Sequence, residues 1–297
     1  MTSSHSLPAP CQWFSWLAAA LDRRSAPRLA RLFLGAVLAR GRRTVTTWIR
    51  AAKLSGQYQP CYIAVAAAGK RADRIARRLL TEVVTPLLKG ATRLTLALDD
   101  TPTKRYGPHV QGAGVHHNPT PGPAGSPYVY GHVFVVLGLL VTHKAWGTIA
   151  LPLLSRLYVR KKDLPGIGPK HRPEFRTKLE LAVELLRWSK PWLGLLNLPI
   201  WVVADGAYAK KEFLKPAKAL GMTVVSRLRK DAALRTLPGP KPPGRRGPAP
   251  TYGKDVIDLA KRAASGGAGP PTRSSCTGRR WSSDTRRSWR PGARPAG

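Results

Sequence analysis

Apolar residues recur at helical spacing over the first ninety positions, as in Trp13, Trp16, Leu17 and Ala20 and again in Leu29, Leu32, Phe33 and Ala36. Residues 12–90 therefore read as an all-α domain. Thr44 is placed to cap a helix running to Leu54, Ser55-Gly56-Gln57 breaks it, and a second helix follows from about Pro60 to Ala68. That pair is either a helix-turn-helix that reads DNA or two packed helices of a bundle. The period changes at Thr92. Leu94, Leu96 and Leu98 alternate with Arg93, Thr95 and Ala97, a strand pattern that reaches Asp99 and Asp100. Residues 101–127 are rich in proline and glycine and read as a loop. Runs at 128–141 and 148–159 read as two further strands turning near Lys144 to Gly147. An amphipathic helix follows at 176–188, with Lys178 and Glu184 outside its apolar stripe. A short buried-type strand at 199–204 ends on Asp205-Gly206, and a helix at about 210–220 with a strand at 222–228 completes a βα unit. The expected order is β, β, β, α, β, α, β, an α/β fold spanning 91–236.

Beyond it, residues 237–262 hold six prolines between 238 and 250 and read as a basic Pro/Gly-rich linker with a short helix from Lys254 to Arg262. Residues 263–297 contain no Leu, Ile, Val, Phe, Met, Tyr, Lys or Glu, so no core can be built from them. They are read either as a solvated, disordered basic tail or as the out-of-frame product of a GC-rich gene.

Charge changes the picture more than composition does. Fifty Lys and Arg against fifteen Asp and Glu give a net charge of +35 in 297 residues, with the excess spread over the whole chain. Such a body calls for a polyanionic partner, and nucleic acid is the first. Three cysteines without a CxxC pair suggest neither a zinc knuckle nor a disulfide framework, which fits a reducing cytoplasm. The most apolar run, Val133–Leu140, is eight residues, short of the roughly twenty that span a bilayer, and no secretory leader is read at the N-terminus. His109, His116, His117 and His132 are irregularly spaced and have no cysteine partners, so zinc is not indicated. Trp13, Trp16, Trp188, Trp192 and Trp201 sit in apolar patterns and read as core.

In a chain with few acids, carboxylates at two strand ends, Asp99–Asp100 and Asp205, stand out. The carboxyl ends of neighbouring strands converge in an α/β sheet, so these side chains either share a hard divalent cation or cap turns.

The segments LTLALDDTPTKRYGPHVQGAGVHH and WVVADGAYAKKEFLKPAKALGMTVVSRLRKDA resemble the DDE transposases of bacterial insertion sequences, over roughly residues 30–262. The resemblance implies a ribonuclease-H-like mixed sheet flanked by helices, preceded by the all-α domain. It implies catalytic and metal-binding roles for Asp100, which precedes Thr101, for Asp205, and for Asp99 as neighbour or substitute. Mg²⁺ or Mn²⁺ is the implied cofactor. Double-stranded DNA is the implied partner, both as terminal inverted repeats and as target, with a homodimer on DNA in the nucleoid. The family's third acid, usually a Glu downstream of a β-rich insertion, has no match: Asp255, Asp258 and Asp284 are the acids beyond the linker. This copy is therefore expected to be catalytically incomplete, the alternative being a non-enzymatic remnant that binds or competes for transposon ends. Lys104, Arg105, Lys161, Lys162, Arg227, Arg229 and Lys230, with Arg42 and Arg43 beside the helix pair, are the expected phosphate contacts.

Overall fold

A computed structural model describes residues 9–88, 90–107, 109–118, 125–143, 145–227, 234–240, 244, 246–248, 250–258 and 261, with the side chains of 9–11 and Val83 left aside. It divides into two units, residues 1–228 and 229–297.

The first unit opens with five helices: α1 (Ala9–Ala18), α2 (Ala26–Leu38), α3 (Val45–Ala51), α4 (Tyr58–Lys70) and α5 (Ala72–Arg78). Thr44 caps α3, its side chain accepting from the Thr47 N–H, and the break at Ser55–Gln57 is a single 3₁₀ turn. Leu32, Ile49, Leu54 and Cys61 form one small core, and Ala18, Leu21 and Leu29 another. α2 and α3 approach so closely that a Cβ on Gly35 would lie 2.2 Å from the Trp48 carbonyl oxygen. Past α5 the chain widens into a π turn at Leu79–Val84 and tightens into a 3₁₀ turn at Thr85–Leu88. Ala76, Leu80 and Val84 belong to the core of the following sheet, so the helical region is joined to it by shared packing.

The sheet contains β1 (Leu94–Lys104), β2 (Gly114–His117), β3 (Tyr128–His143), β4 (Gly147–Tyr158), β5 (Ile200–Ala204) and β6 (Met222–Ser226). β1 runs antiparallel to β3 and parallel to β5, which is parallel to β6, while β4 lies antiparallel along the other edge of β3. The spatial order β4-β3-β1-β5-β6, with an antiparallel meander feeding a parallel βα half, is the ribonuclease-H-like mixed sheet. β2 extends the edge that β4 leaves. α6 (Lys178–Gly194) and α7 (Lys211–Ala219) complete the unit. A capping box starts α6: Glu180 N–H donates to Thr177 Oγ1 at 3.3 Å, and the Thr177 N–H donates to Glu180 Oε2 at 2.7 Å. Its stripe of Leu181, Leu185, Leu186 and Leu193 packs with Leu94, Leu96, Leu98, Val202 and Phe213 in one core.

Several expectations need correction. β1 does not stop at the aspartates but pairs with β3 as far as Lys104↔Gly131, and β2 lies inside the stretch read as a loop. Trp13 and Trp16 are 44% and 45% exposed, not core. Lys178 and Glu184, read as facing away from the apolar stripe, both make ion pairs. In the second unit the expected helix from Lys254 contains a two-residue strand, β8 (Val256–Ile257), paired with β7 (Leu234–Arg235); Arg262 lies outside the described residues, as does 263–297.

Candidate functional site

The parallel pairing of β1, β5 and β6 stops at one level, where β5 and β6 end and β1 runs on. The last ladder pairs are Leu98↔Ala204 between β1 and β5, and Ala204↔Ser226 between β5 and β6. Asp99, Asp205 and Arg227 are the next residues on the three strands, so they stand in a row one position past the ladder, on strands spaced roughly 4.8 Å apart. β4 also runs parallel to β1, being antiparallel to β3, and its last residue Tyr158 is level with Pro102 through Val133. The 3₁₀ turn Lys161–Gly166 follows it, which brings Lys161 and Lys162 to the same edge of the sheet. Both lysines, Lys104 and Arg227 are exposed.

Alternation decides what each aspartate faces. Leu94, Leu96 and Leu98 are buried towards α6 and α7, so Asp100 continues that face and Asp99 the other. Asp100 is met there by two partners. Lys178 Nζ, from the first residue of α6, donates to its Oδ2, and the Tyr208 hydroxyl donates to its Oδ1. The Asp100 side chain keeps 26% of its exposure and that of Lys178 39%. Asp99 turns its Oδ1 back to accept the Asp100 N–H at 2.8 Å. Asp205 caps the 3₁₀ turn Gly206–Tyr208, accepting from the Ala207 N–H at 3.0 Å, while its carbonyl accepts from Ser226 Oγ at 2.7 Å.

Tyr208 holds Asp100 from below. It is 2% exposed, its ring lies edge-on to Phe213 with centroids 5.6 Å apart, and its hydroxyl is held far above its ordinary ionisation range. Burial is the chief cause; the hydrogen bond to Asp100 comes next, followed by the charges of Asp100, Asp205 and Asp99. Tyr208 is thus a permanent donor, buried under a small cluster of negative charge.

Further along β1 and β3, basic side chains have fixed heads. Arg105 Nε donates to His132 Nδ1 at 3.1 Å, which leaves His132 Nε2–H to donate to the Gln111 carbonyl at 2.9 Å. Lys104 sits 5.3 Å above the Tyr106 ring, and Lys178 5.5 Å from that of Tyr158. His116 is 9% exposed with Nε2 lacking a partner; burial, then the charges of Arg160 and Lys178, holds it below its usual value. Arg42 and Arg43 are exposed between α2 and α3, apart from this edge, and Arg229 and Lys230 lie outside the described residues. Lys178 and Tyr208 are the site residues that sequence pattern misses. Tyr208 has a signal, its place three residues after Asp205 in Asp-Gly-Ala-Tyr; Lys178 has none, since its partner is 78 positions away.

Asp99, Asp100 and Asp205 offer only hard oxygen donors, which suit a divalent cation such as Mg²⁺ held by one or two carboxylates and completed by water and phosphate. Among the described residues no group of three or more His, Cys, Asp or Glu side chains is placed to hold a metal ion.

Comparison with known proteins gives the family. The sequence model of the family described as DDE superfamily endonuclease matches residues 17–295, and the chain belongs to that family. The match includes the stretch 263–295 that composition sets apart. Among solved structures, the piggyBac transposase synaptic complex with hairpin DNA, determined by cryo-EM, is similar over 78% of this chain at 11% identity and a TM-score of 0.32. This chain spans 45% of that one, so the assignment rests on the family match. No curated protein matches the chain. No helix among the described residues is long and apolar enough to cross a membrane.

Proposed function

We propose that the chain is a DNA transposase by type, built for metal-dependent cleavage and transfer of DNA strands at transposon ends, and that it lacks the third acid needed for full activity. The observation that carries this reading is that Asp99 and Asp205 directly follow the last pair of the parallel β1–β5 ladder, with Asp100 beside them held by Tyr208 and Lys178, in a chain of net charge +35. Asp205 and Asp100, with Asp99 beside them, are the residues that would hold Mg²⁺ or Mn²⁺. Such an ion, when bound there, polarises the scissile phosphodiester and lowers the pKa of an attacking water.

The chain's own side chains do the rest. Tyr208 fixes Asp100 Oδ1 in direction, so the carboxylate does not search rotamers when substrate arrives. Lys178 neutralises Asp100 Oδ2 and, 39% exposed at the start of α6, is also within reach of a phosphate oxygen at this edge. Lys104, Lys161, Lys162 and Arg227 line the same edge with positive charge that holds the DNA backbone without reading sequence. Hydrolysis breaks the P–O3′ bond, water supplies the new P–O bond, and the freed 3′ hydroxyl is the nucleophile for target DNA. Two ends must meet for that, which favours a homodimer on DNA.

A second reading is favoured by the unmatched third acid: a non-enzymatic protein that occupies transposon ends. One assay separates the two. The full chain is incubated with supercoiled DNA in Mg²⁺ or Mn²⁺, alongside Asp100→Asn and Asp205→Asn. Nicking that disappears in both variants supports the transposase centre, and nicking that persists in both removes these residues from it. DNA binding without nicking under either metal supports the end-binding remnant.

A further inference from the structure

We infer that a cleft in the helical region, formed by elements other than the strand ends, clamps the phosphodiester backbone of duplex DNA; the inference rests on the reading above that the chain acts on DNA. The cleft, of 370 Å³, is lined by Arg23, Arg24, Arg28 and Arg31 with Leu54 and Gln57, and no carboxylate lines it. Arg24, Arg28 and Arg31 follow one another at spacings of four and three, one face of α2 and its lead-in.

Two of these heads, on Arg28 and Arg31, are held in place. Arg28 Nε donates to Gln57 Oε1 at 3.2 Å and its Nη1 to the Arg24 carbonyl at 2.5 Å, while Arg31 Nη2 donates to the Ala52 carbonyl at 3.4 Å. Each guanidinium has five N–H donors, so most remain for a ligand. The local counter-charge is committed elsewhere. Asp22 is the one acid in the first 72 residues, against eleven Lys and Arg. Its Oδ1 accepts from the backbone N–H groups of Arg24 and Ser25 at 3.0 and 2.9 Å, and its Oδ2 lies 4.0 Å from Arg71.

Stacked like charges weaken a helix, and the N-terminal end of a helix adds positive potential. This arrangement works against α2 unless an anion from outside completes it. Bidentate arginine forks match phosphate oxygens, and four of them across one cleft suit a repeating polyanion better than a single ion. The floor of the cleft matters too. Leu54 and Gln57 bracket the turn between α3 and α4, so a backbone held here fixes how that helix pair lies on the duplex.

The test uses the full chain and a fluorescently labelled random-sequence DNA duplex, with binding followed by anisotropy over a salt series. Arg24→Gln with Arg31→Gln is expected to weaken binding about tenfold or more and to make the log–log salt dependence shallower by about 0.9 for each phosphate no longer neutralised. Arg24→Lys with Arg31→Lys, which keeps the charge, is expected to restore most of the slope. Should the double Gln variant fail to fold, Arg23→Gln alone, on the exposed lead-in to α2, is expected to make the slope shallower by about 0.9. Wild-type binding with Gln variants of unchanged affinity and slope overturns the clamp and leaves the DNA reading standing. A wild-type chain that does not bind DNA at all overturns both. Arginine dependence seen on duplex RNA or anionic vesicles but not on DNA overturns the choice of ligand.

Discussion

Replacing Tyr208 by Phe removes one oxygen from the point where the candidate site is wired together. The Tyr208 ring is 2% exposed and packs edge-on to Phe213, so Phe fits the same space without a cavity. What is removed is a hydroxyl donor to an ionised acceptor, Asp100 Oδ1. Hydrogen bonds to charged groups contribute roughly 1.5–3 kcal/mol. Asp100 retains Lys178 on its other oxygen and 26% of its exposure, so water recovers part of the missing bond, and the lower end, about 1.5 kcal/mol, applies. For a unit of this size about 2–4 °C of Tm accompany each kcal/mol, which gives a fall of about 3–6 °C.

The same substitution carries a pH signature. Tyr208 has its ionisation raised in the folded chain, chiefly by burial, so the stability it contributes is complete below the unfolded value of about 10 and is lost as pH climbs towards the folded value. Wild type therefore acquires an extra alkaline loss above about pH 10, up to about 1.4 kcal/mol per pH unit, which Tyr208→Phe lacks. Thermal unfolding by circular dichroism, with metal chelated and over neutral to alkaline pH, reads both effects. A variant with the wild-type Tm and the wild-type alkaline limb would refute the hydrogen bond to Asp100, and with it the claim that Tyr208 positions that carboxylate.

Three other outcomes follow from the same geometry. Asp205→Asn preserves the acceptor that caps Ala207 N–H, so the variant should fold with a near-wild-type melting curve in chelator. At ten times the dissociation constant for Mg²⁺, wild type should gain about 1.4 kcal/mol from the ion and the variant little of it, and equal gains would place the ion elsewhere. His116 is held neutral by burial, its ionisation lowered, so its contribution is complete above about pH 6.5 and fades as pH falls through the folded value; His116→Phe should show a shallower acid loss in urea midpoints, and parallel acid limbs would refute this. Gly35→Ala puts a methyl 2.2 Å from the Trp48 carbonyl oxygen and should cost about 1–3 kcal/mol of stability by chemical denaturation, whereas a neutral effect would mean that α2 and α3 do not pack so closely.

How far the sequence discloses this arrangement depends on whether the signal is local. Leu94, Leu96 and Leu98 announce β1 because one buried face imposes a period of two, and Thr44 announces α3 because its cap bond spans three residues. The continuation of β1 through Thr101-Pro102-Thr103-Lys104 is hidden, since proline and glycine nearby suggest a loop while the pairing that overrides them comes from β3, about thirty positions on. Trp13 and Trp16 carry a helical period yet stand exposed: periodicity tells that a stripe exists, and only packing tells whether it is covered. Asp99, Asp100 and Asp205 are legible because acids are scarce in this chain and these follow alternating or buried-type apolar runs, although β1 continues past the first two. The ions and hydroxyls that hold them are not, since a lysine at the start of an amphipathic helix looks the same in sequence whether it meets water or a carboxylate.

The scarcity of acid also frames what the chain can do. In the first unit five of the eleven carboxylates are engaged in structure away from the strand ends: Asp22 caps the lead-in to α2, Asp73 and Glu184 clasp Arg156, Asp163 holds Arg160 at 2.5 Å, and Glu180 closes the capping box. The strand-end aspartates differ, since two of them are exposed at the open edge and the third is held by groups that orient it. A fold under electrostatic pressure from fifty basic side chains would gain most by spreading its fifteen acids among them, yet three are gathered at one edge of the sheet. That concentration runs against charge dispersal, and the function proposed above accounts for it by a ligand that brings positive charge to the cluster and negative charge to the basic side chains. On that reading a divalent cation and a DNA phosphate arriving together meet both demands, where neither alone does.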